Sequence, residues 1–189
     1  MSVEGSGTLL PPSAVLEVIR RRHSCRSYLP DPVPESLIAL MAQAASSAPS
    51  ACNRQPYRFL FITDRDLIGR VARAVPVGPA SVNAWIGGAP LLVAAVGRPE
   101  TLWHRLSQAV DADYHRMDAA IAMDHLCLVA TEAGLGTCWV GWFSRRKVGR
   151  LLKIRLGEEV VILMTAGFFR DGPGRPRPKK PPAELTQIV

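Results

Sequence analysis

The chain has no run of about 18 apolar residues, the least that crosses a bilayer as a helix, so no membrane partner is expected. Its opening residues lack a basic stretch followed by an apolar one, so no secretory signal is expected and a cytoplasmic location is. Cysteine is scarce. Cys25, Cys52, Cys127 and Cys138 form no CxxC pair and have no histidine at zinc-ligand spacing, so no metal site is expected, nor disulfides in a reducing compartment. Several catalytic signatures are also missing, among them GxxxxGK[ST], GxSxG and HExxH. Gly134-Leu135-Gly136-Thr137-Cys138-Trp139 fails the dinucleotide fingerprint at its last position and follows a helical pattern, not a strand, which disfavours a Rossmann domain.

What is present suits one globular domain. The 189 residues are 48% apolar and 21% charged, enough for one core and too few for two. Residues 1–12 read as a flexible tail of Gly, Ser and Pro ahead of a single domain over 13–189. The net charge of +7 is not evenly spread. Arg20, Arg21, Arg22 and Arg26 form one basic cluster, and Arg170, Arg175, Arg177, Lys179 and Lys180 form another. Together they account for more than the whole net charge, a distribution that suits a phosphate ligand and would also suit nucleic acid. Arg145 to Arg155 is basic as well, but it carries no interleaved aromatics, so nucleic acid is not the expected partner.

Hydrophobic spacing predicts the elements. Ser13 caps a helix over 13–22 whose apolar stripe is Val15, Leu16 and Ile19. A second helix starts at Pro34 or Glu35, buries Leu37, Ile38, Leu40, Met41 and Ala44, and stops before Pro49. Tyr57–Thr63 is a strand, 64–74 a short amphipathic helix, and Ala89–Val96 a fully buried strand. Residues 76–88 read as loop with a short helix. Asp118–Ala133, apolar on most of its circumference, is a central helix ending at Gly134 and able to face a second subunit. Ser144–Leu152 is an exposed basic helix and Val160–Phe168 a buried strand. The proline-rich end, 170–189, extends as an arm.

Three segments could carry chemistry, and each has a plainer reading beside it. Arg22-His23-Ser24-Cys25-Arg26 sets two guanidiniums around a hydroxyl and an imidazole, suited to phosphate or to a heterocycle's carbonyl oxygens. It also suits a solvated helix end. Ala48–Tyr57 places Asn53 and Gln55 two apart outside regular structure, where their amides can meet the edge of a planar ligand; it also suits an ordinary turn. Gly136–Gly141 offers backbone for close approach to a ligand beside Trp139, or a buried strand whose glycines serve packing.

Taken in order, RRHSCRSY, APSACNRQPY, DAAIAMDHLCLVATEAGLGTCWVG and the late RPKKP resemble the FMN-dependent nitroreductase family from about residue 16 onward. The resemblance implies an α+β, three-layer fold with a central, mostly antiparallel sheet flanked by helices, in an intertwined homodimer. The arm 170–189 would pack on the partner and FMN would sit at the interface. It implies a cofactor site of Arg22, His23, Ser24 and Arg26, with Pro49, Ser50 and Ala51 from the second subunit and Asn53 and Gln55 near the isoalloxazine. Trp139, Val140 and Gly141 would lie near the reactive face, with Arg177 and Lys179 as phosphate clamp; Pro178 shifts that last alignment by one residue. The implied activity is hydride transfer at flavin N5 from NADH or NADPH to a small acceptor (nitroaromatic, quinone or enone) by a ping-pong cycle without a catalytic side chain. A specialised dehydrogenase, reductive dehalogenase or flavin-destroying enzyme would share the scaffold. Tyr57 stands where the family usually has tryptophan, and Gly97–Met117, with Trp103, His104 and Tyr114, is expected to form a modest lid.

Overall fold

The computed structural model describes residues 13–75, 84–98, 113–170 and 178–187. The predicted tail 1–12, most of the predicted lid including Trp103 and His104, and Arg177 lie outside those residues.

Four strands form one antiparallel sheet in the order β1-β2-β4-β3: β1 Tyr57–Ile62, β2 Leu91–Gly97, β3 Gly136–Val140 and β4 Glu159–Gly167. β2 is buried along its whole length, as its unbroken apolar run predicts for a central strand covered on both faces. Its side chains alternate between two cores. Leu91, Val93 and Ala95 join Met164 and Ala166 on one face, while Leu92 and Ala94 join Val160 and Leu163 on the other. Helices α2 (Glu35–Ser46) and α4 (Tyr114–Glu132) cover the first face. Helices α3 (Arg65–Ala74) and α5 (Arg145–Leu151) cover the second, so the architecture is the expected three-layer α+β fold.

Helix α1 (Ala14–Arg21) starts where Ser13 accepts a hydrogen bond from Leu16 N at 3.4 Å. Its predicted apolar stripe exists but stays bare: Val15, Leu16 and Ile19 are all exposed and no residue of α1 is buried. In α2 the packing ridge runs Leu37-Met41-Ala45, a spacing of four, so Met41 and Ala45 are buried and Ala44 only half so. Leu40 is exposed, against expectation, because it sits a hundred degrees around the helix from that ridge.

Helix α4 begins at Tyr114, a turn before the expected start, so Tyr114 belongs to the helix and not to a lid. Its buried face runs through Asp118, Ala119, Ala122, Met123, Leu126, Cys127 and Ala130. The helix closes at Gly134, whose φ of +82° lets Leu135 N reach Ala130 O at 2.9 Å. The first turns of its opposite face are apolar too: Tyr114, Met117 and Ile121 are 46%, 47% and 41% exposed. Helix α5 is basic and capped by Ser144, yet it buries Val148 and Gly149 against the sheet. The described part of the arm, 178–187, is exposed throughout and contains one helical turn, α6 (Pro182–Leu185), where a wholly extended arm was expected. Among the described residues no helix is long and apolar enough to cross a membrane.

Candidate active site in two halves

Residues 22–28 leave α1 in extended form and touch the sheet region through two isolated bridges, Ser24 to Thr137 and Tyr28 to Phe169. Ser24 pairs with Thr137 in parallel and Cys25 N donates to Thr137 O at 2.8 Å. The approach is close enough that a Cβ on Gly136 would lie 2.6 Å from Cys25 Cβ. Gly136 therefore makes room for the protein's own segment, which is the packing reading of that glycine. Gly141, exposed, has no atom nearer to such a Cβ than Ile162 Cδ1 at 3.9 Å. Tyr28 pins the far end of the segment, donating to Cys25 O at 2.7 Å and sharing a 2.6 Å hydrogen bond with Thr165 Oγ1. Burial drives the Tyr28 pKa far above its ordinary value, so Tyr28 is a neutral anchor.

That anchoring sets out the predicted cations. The half-buried Arg22 makes no ion pair with a described carboxylate. Arg26 lies over Trp85 at 5.6 Å from the ring centroid, a cation–π contact that sequence spacing does not reveal. His23 packs edge-on against Phe169, and its Nδ1 lies 3.3 Å from Arg21 O. Beneath the segment, burial raises the pKa values of Cys127 and Cys138, while Arg22 lowers both and Arg26 lowers that of Cys138. Both thiols are buried and stay protonated; their neighbours mark where the guanidinium charges act. Trp139 is half-buried with its indole toward Cys127, and Val140 belongs to the second core, so at these two positions the backbone is what remains for a ligand.

The second half is the turn Pro49–Gln55. Ser50 is extended, and then Cys52, Asn53 and Gln55 take φ values of 52°, 54° and 49°, the left-handed region. Each such non-glycine residue costs on the order of 1 kcal/mol, so the turn needs outside support. Asp118 supplies it. Both carboxylate oxygens lie 3.2 Å from Ala51 N, and a hydrogen bond to a charged group contributes roughly 1.5–3 kcal/mol, enough to offset most of that strain. Burial pushes the Asp118 carboxyl above its usual pKa, and the Ala51 N–H and the His115 ring pull it back. Ser50 Oγ accepts from Gln55 N at 3.1 Å, and Gln55 Nε2 donates to Asn53 Oδ1 at 2.9 Å. The two exposed amides are thereby fixed relative to each other, leaving the Asn53 amino group and the Gln55 carbonyl for a ligand. Tyr57 Oη, at the end of the turn, is buried with no partner.

The two halves sit at opposite ends of α4. Arg21 donates to Thr131 O at 3.0 Å at the C-terminal end, while Asp118 holds the turn at the N-terminal end. Thr131 and Asp118 are about 20 Å apart along the axis at 1.5 Å per residue. One chain therefore does not bring Arg22, His23, Ser24 and Arg26 onto the same small ligand as Pro49, Ser50, Ala51, Asn53 and Gln55. Lys179 is exposed and Arg177 is outside the described residues. Sequence reasoning missed two residues of this arrangement, Trp85 and Asp118. The signal for Asp118 was available: a lone carboxylate opening an otherwise apolar helical run.

The model of the nitroreductase family matches residues 19–168. The chain belongs to that family, and with it to the oxidoreductases. A relative from Archaeoglobus fulgidus, whose name joins NADH dehydrogenase with NAD(P)H nitroreductase, is 27% identical over 82% of this chain and 86% of its own. A 5,6-dimethylbenzimidazole synthase from Rhodospirillum rubrum is 27% identical over 88% of this chain and 84% of its own. The crystal structure of a nitroreductase family protein from Clostridium novyi NT superposes with a TM-score of 0.74 at 27% identity, covering 87% and 89% of the two chains. The family thus carries more than one named activity on one scaffold.

Proposed function

We propose that two copies of this chain build two equivalent FMN sites, each combining the Arg22 half of one copy with the Ala51 half of the other, and that the enzyme moves hydride from NAD(P)H to a small acceptor. The observation that carries this reading is the splitting of the site residues between the two ends of α4, together with the bare apolar side chains of Tyr114, Met117 and Ile121 along its first turns. A two-fold axis across α4 reverses its direction in the partner and turns one chain's Ala51 end toward the other's Arg22 end. The same contact covers Tyr114, Met117 and Ile121. In the proposed dimer the arm 170–189 lies on the partner, with Lys179 and Arg177 serving the phosphate.

The donor set fits the flavin. Arg22, unpaired with any described carboxylate, is the cation for the pyrimidine edge, where negative charge grows on reduction. Ser24, exposed beside it, is a hydroxyl donor. The Asn53 and Gln55 amides, locked to each other, offer donor and acceptor to a flat ring edge. Gly141 leaves backbone open for a ring to lie close. The chemistry supplied by the cofactor is hydride acceptance and donation at N5. The chain's own residues bind, orient and balance charge, and none of them needs to move a proton, so no catalytic side chain is assigned.

The purified protein is expected to be yellow, with about one FMN per chain. Arg22→Ala should weaken FMN binding by roughly 10- to 100-fold, the loss of a charge-assisted contact, read by quenching of flavin fluorescence. Unchanged affinity in that variant would remove Arg22 from the site, and failure of micromolar FMN to bind the wild type would remove the reading altogether.

A further inference from the structure

A concave site separate from the predicted cofactor residues opens beside the Ala51 turn. The cavity, about 220 Å³, is lined by Arg54, Gln55, Arg58, Arg98, Arg155 and Glu158 among others. Among the described lining residues Glu158 is the one carboxylate, and it is already taken. Arg58 holds Glu158 through two hydrogen bonds, Nε to Oε1 at 3.0 Å and Nη2 to Oε2 at 2.7 Å, and Glu158 also accepts from Arg155 N at 2.8 Å. These contacts lower the Glu158 pKa to about 2, so Glu158 stays ionised; its hydrogen bonds are spent on the Arg58 side chain and the Arg155 backbone, and the Arg155 guanidinium acts on it only through its charge. Arg98 and Arg155 make no side-chain hydrogen bond or ion pair with a described residue. The positive field does not stop at this wall. Arg155 is shared with a second, larger concavity carrying Arg145, Arg146, Arg150 and Lys153, whose two carboxylates, Glu158 and Glu159, are both engaged by arginines.

Two features make this a site and not merely a charged surface. It is concave, and Gln55 belongs both to its wall and to the amide pair facing the flavin. An anion held by Arg98 and Arg155 therefore belongs to a molecule whose other end reaches the cofactor. Forked guanidiniums without a carboxylate partner suit a phosphate dianion better than a single carboxylate, because two of them can each offer a bidentate pair of donors. We propose that this pocket binds the phosphomonoester of a nicotinamide dinucleotide donor, so that the enzyme selects NADPH over NADH. This rests on the proposed flavin reading and names its electron donor.

The experiment uses the FMN-loaded full-length protein and two kinds of probe. 2′,5′-ADP, titrated calorimetrically, should bind at least about tenfold more tightly than 5′-AMP, with the difference shrinking as salt rises. Steady-state kinetics should give a kcat/KM ratio of NADPH to NADH of about ten or more. In Arg98→Ala/Arg155→Ala that ratio should collapse toward one through KM for NADPH while flavin stoichiometry stays the same, since these side chains hold substrate and transition state alike. Equal binding of the two adenosine phosphates, a wild-type preference for NADH, or a ratio untouched by the double substitution would each overturn the proposal. Absence of FMN from the wild type would instead overturn the flavin reading, so the two failures are distinguishable.

Discussion

Asp118→Ala is expected to weaken FMN binding by at least about tenfold and to lower stability by roughly 2–3 kcal/mol, although Asp118 itself is buried beneath the site and faces no ligand in this account. The carboxylate holds the Ala51 N–H with both oxygens, and without it the left-handed backbone at Cys52, Asn53 and Gln55 loses its main support from outside the turn. The turn would then relax, and the Asn53 and Gln55 amides would lose their shared orientation. Asp118→Asn separates this role from mere packing. An amide oxygen still accepts from Ala51 N, and the cost of burying a charge disappears, so this variant should recover most of the affinity. The sign of the pKa shift agrees. Burial raises the folded-state pKa of Asp118, so its ionised form opposes folding; the opposition is full above that raised pKa and is lost as pH falls from there to the ordinary carboxylate value. Flavin affinity by fluorescence quenching and stability by denaturant titration check both variants. Wild-type affinity in Asp118→Ala would refute the positioning role.

Met117→Asp/Ile121→Asp should have the largest effect of all on assembly. Both side chains lie on the bare apolar face of α4, exposed in the single chain, so the substitutions cost little in the monomer. In a two-fold dimer each appears twice, and four carboxylates would be buried in one contact at several kcal/mol. Association should weaken by more than about a hundredfold, and FMN should be lost with it because neither half holds the ring alone. Sedimentation velocity followed at flavin and protein wavelengths reads both at once. A variant that remains dimeric and yellow would show that α4 does not face the partner.

The elements were legible because their signals are local. Ser13 caps where a side-chain oxygen should, the unbroken apolar run 89–96 holds a strand covered on both faces, and Gly134 closes the longest helix. Burial on α1 was not legible. The spacing of Val15, Leu16 and Ile19 announces an apolar stripe but not what covers it, and among the described residues of the single chain all three stay exposed. Leu40 shows the same limit: helical period gives a face, while the neighbour α4 decides which ridge of it is buried. At the site, the order of the segments named the candidate residues but not the distance between the two groups. That depends on α4 being long enough to hold Arg21 at one end and Ala51 at the other. Arg26 over Trp85 and Asp118 under Ala51 arise from contacts between residues far apart in sequence, which no local pattern encodes.

The account rests on each site being shared, and mixing two defective chains tests that most directly. Arg22→Ala damages one half and Asn53→Ala/Gln55→Ala the other, and each homodimer should bind FMN poorly. In a heterodimer one site receives both defects and the other receives none. Unfolding and refolding an equal mixture should therefore restore tight binding to about a quarter of the sites, the share that random pairing makes whole. If the mixture binds no more FMN than the average of its two parents, the site lies within one chain and the account is wrong.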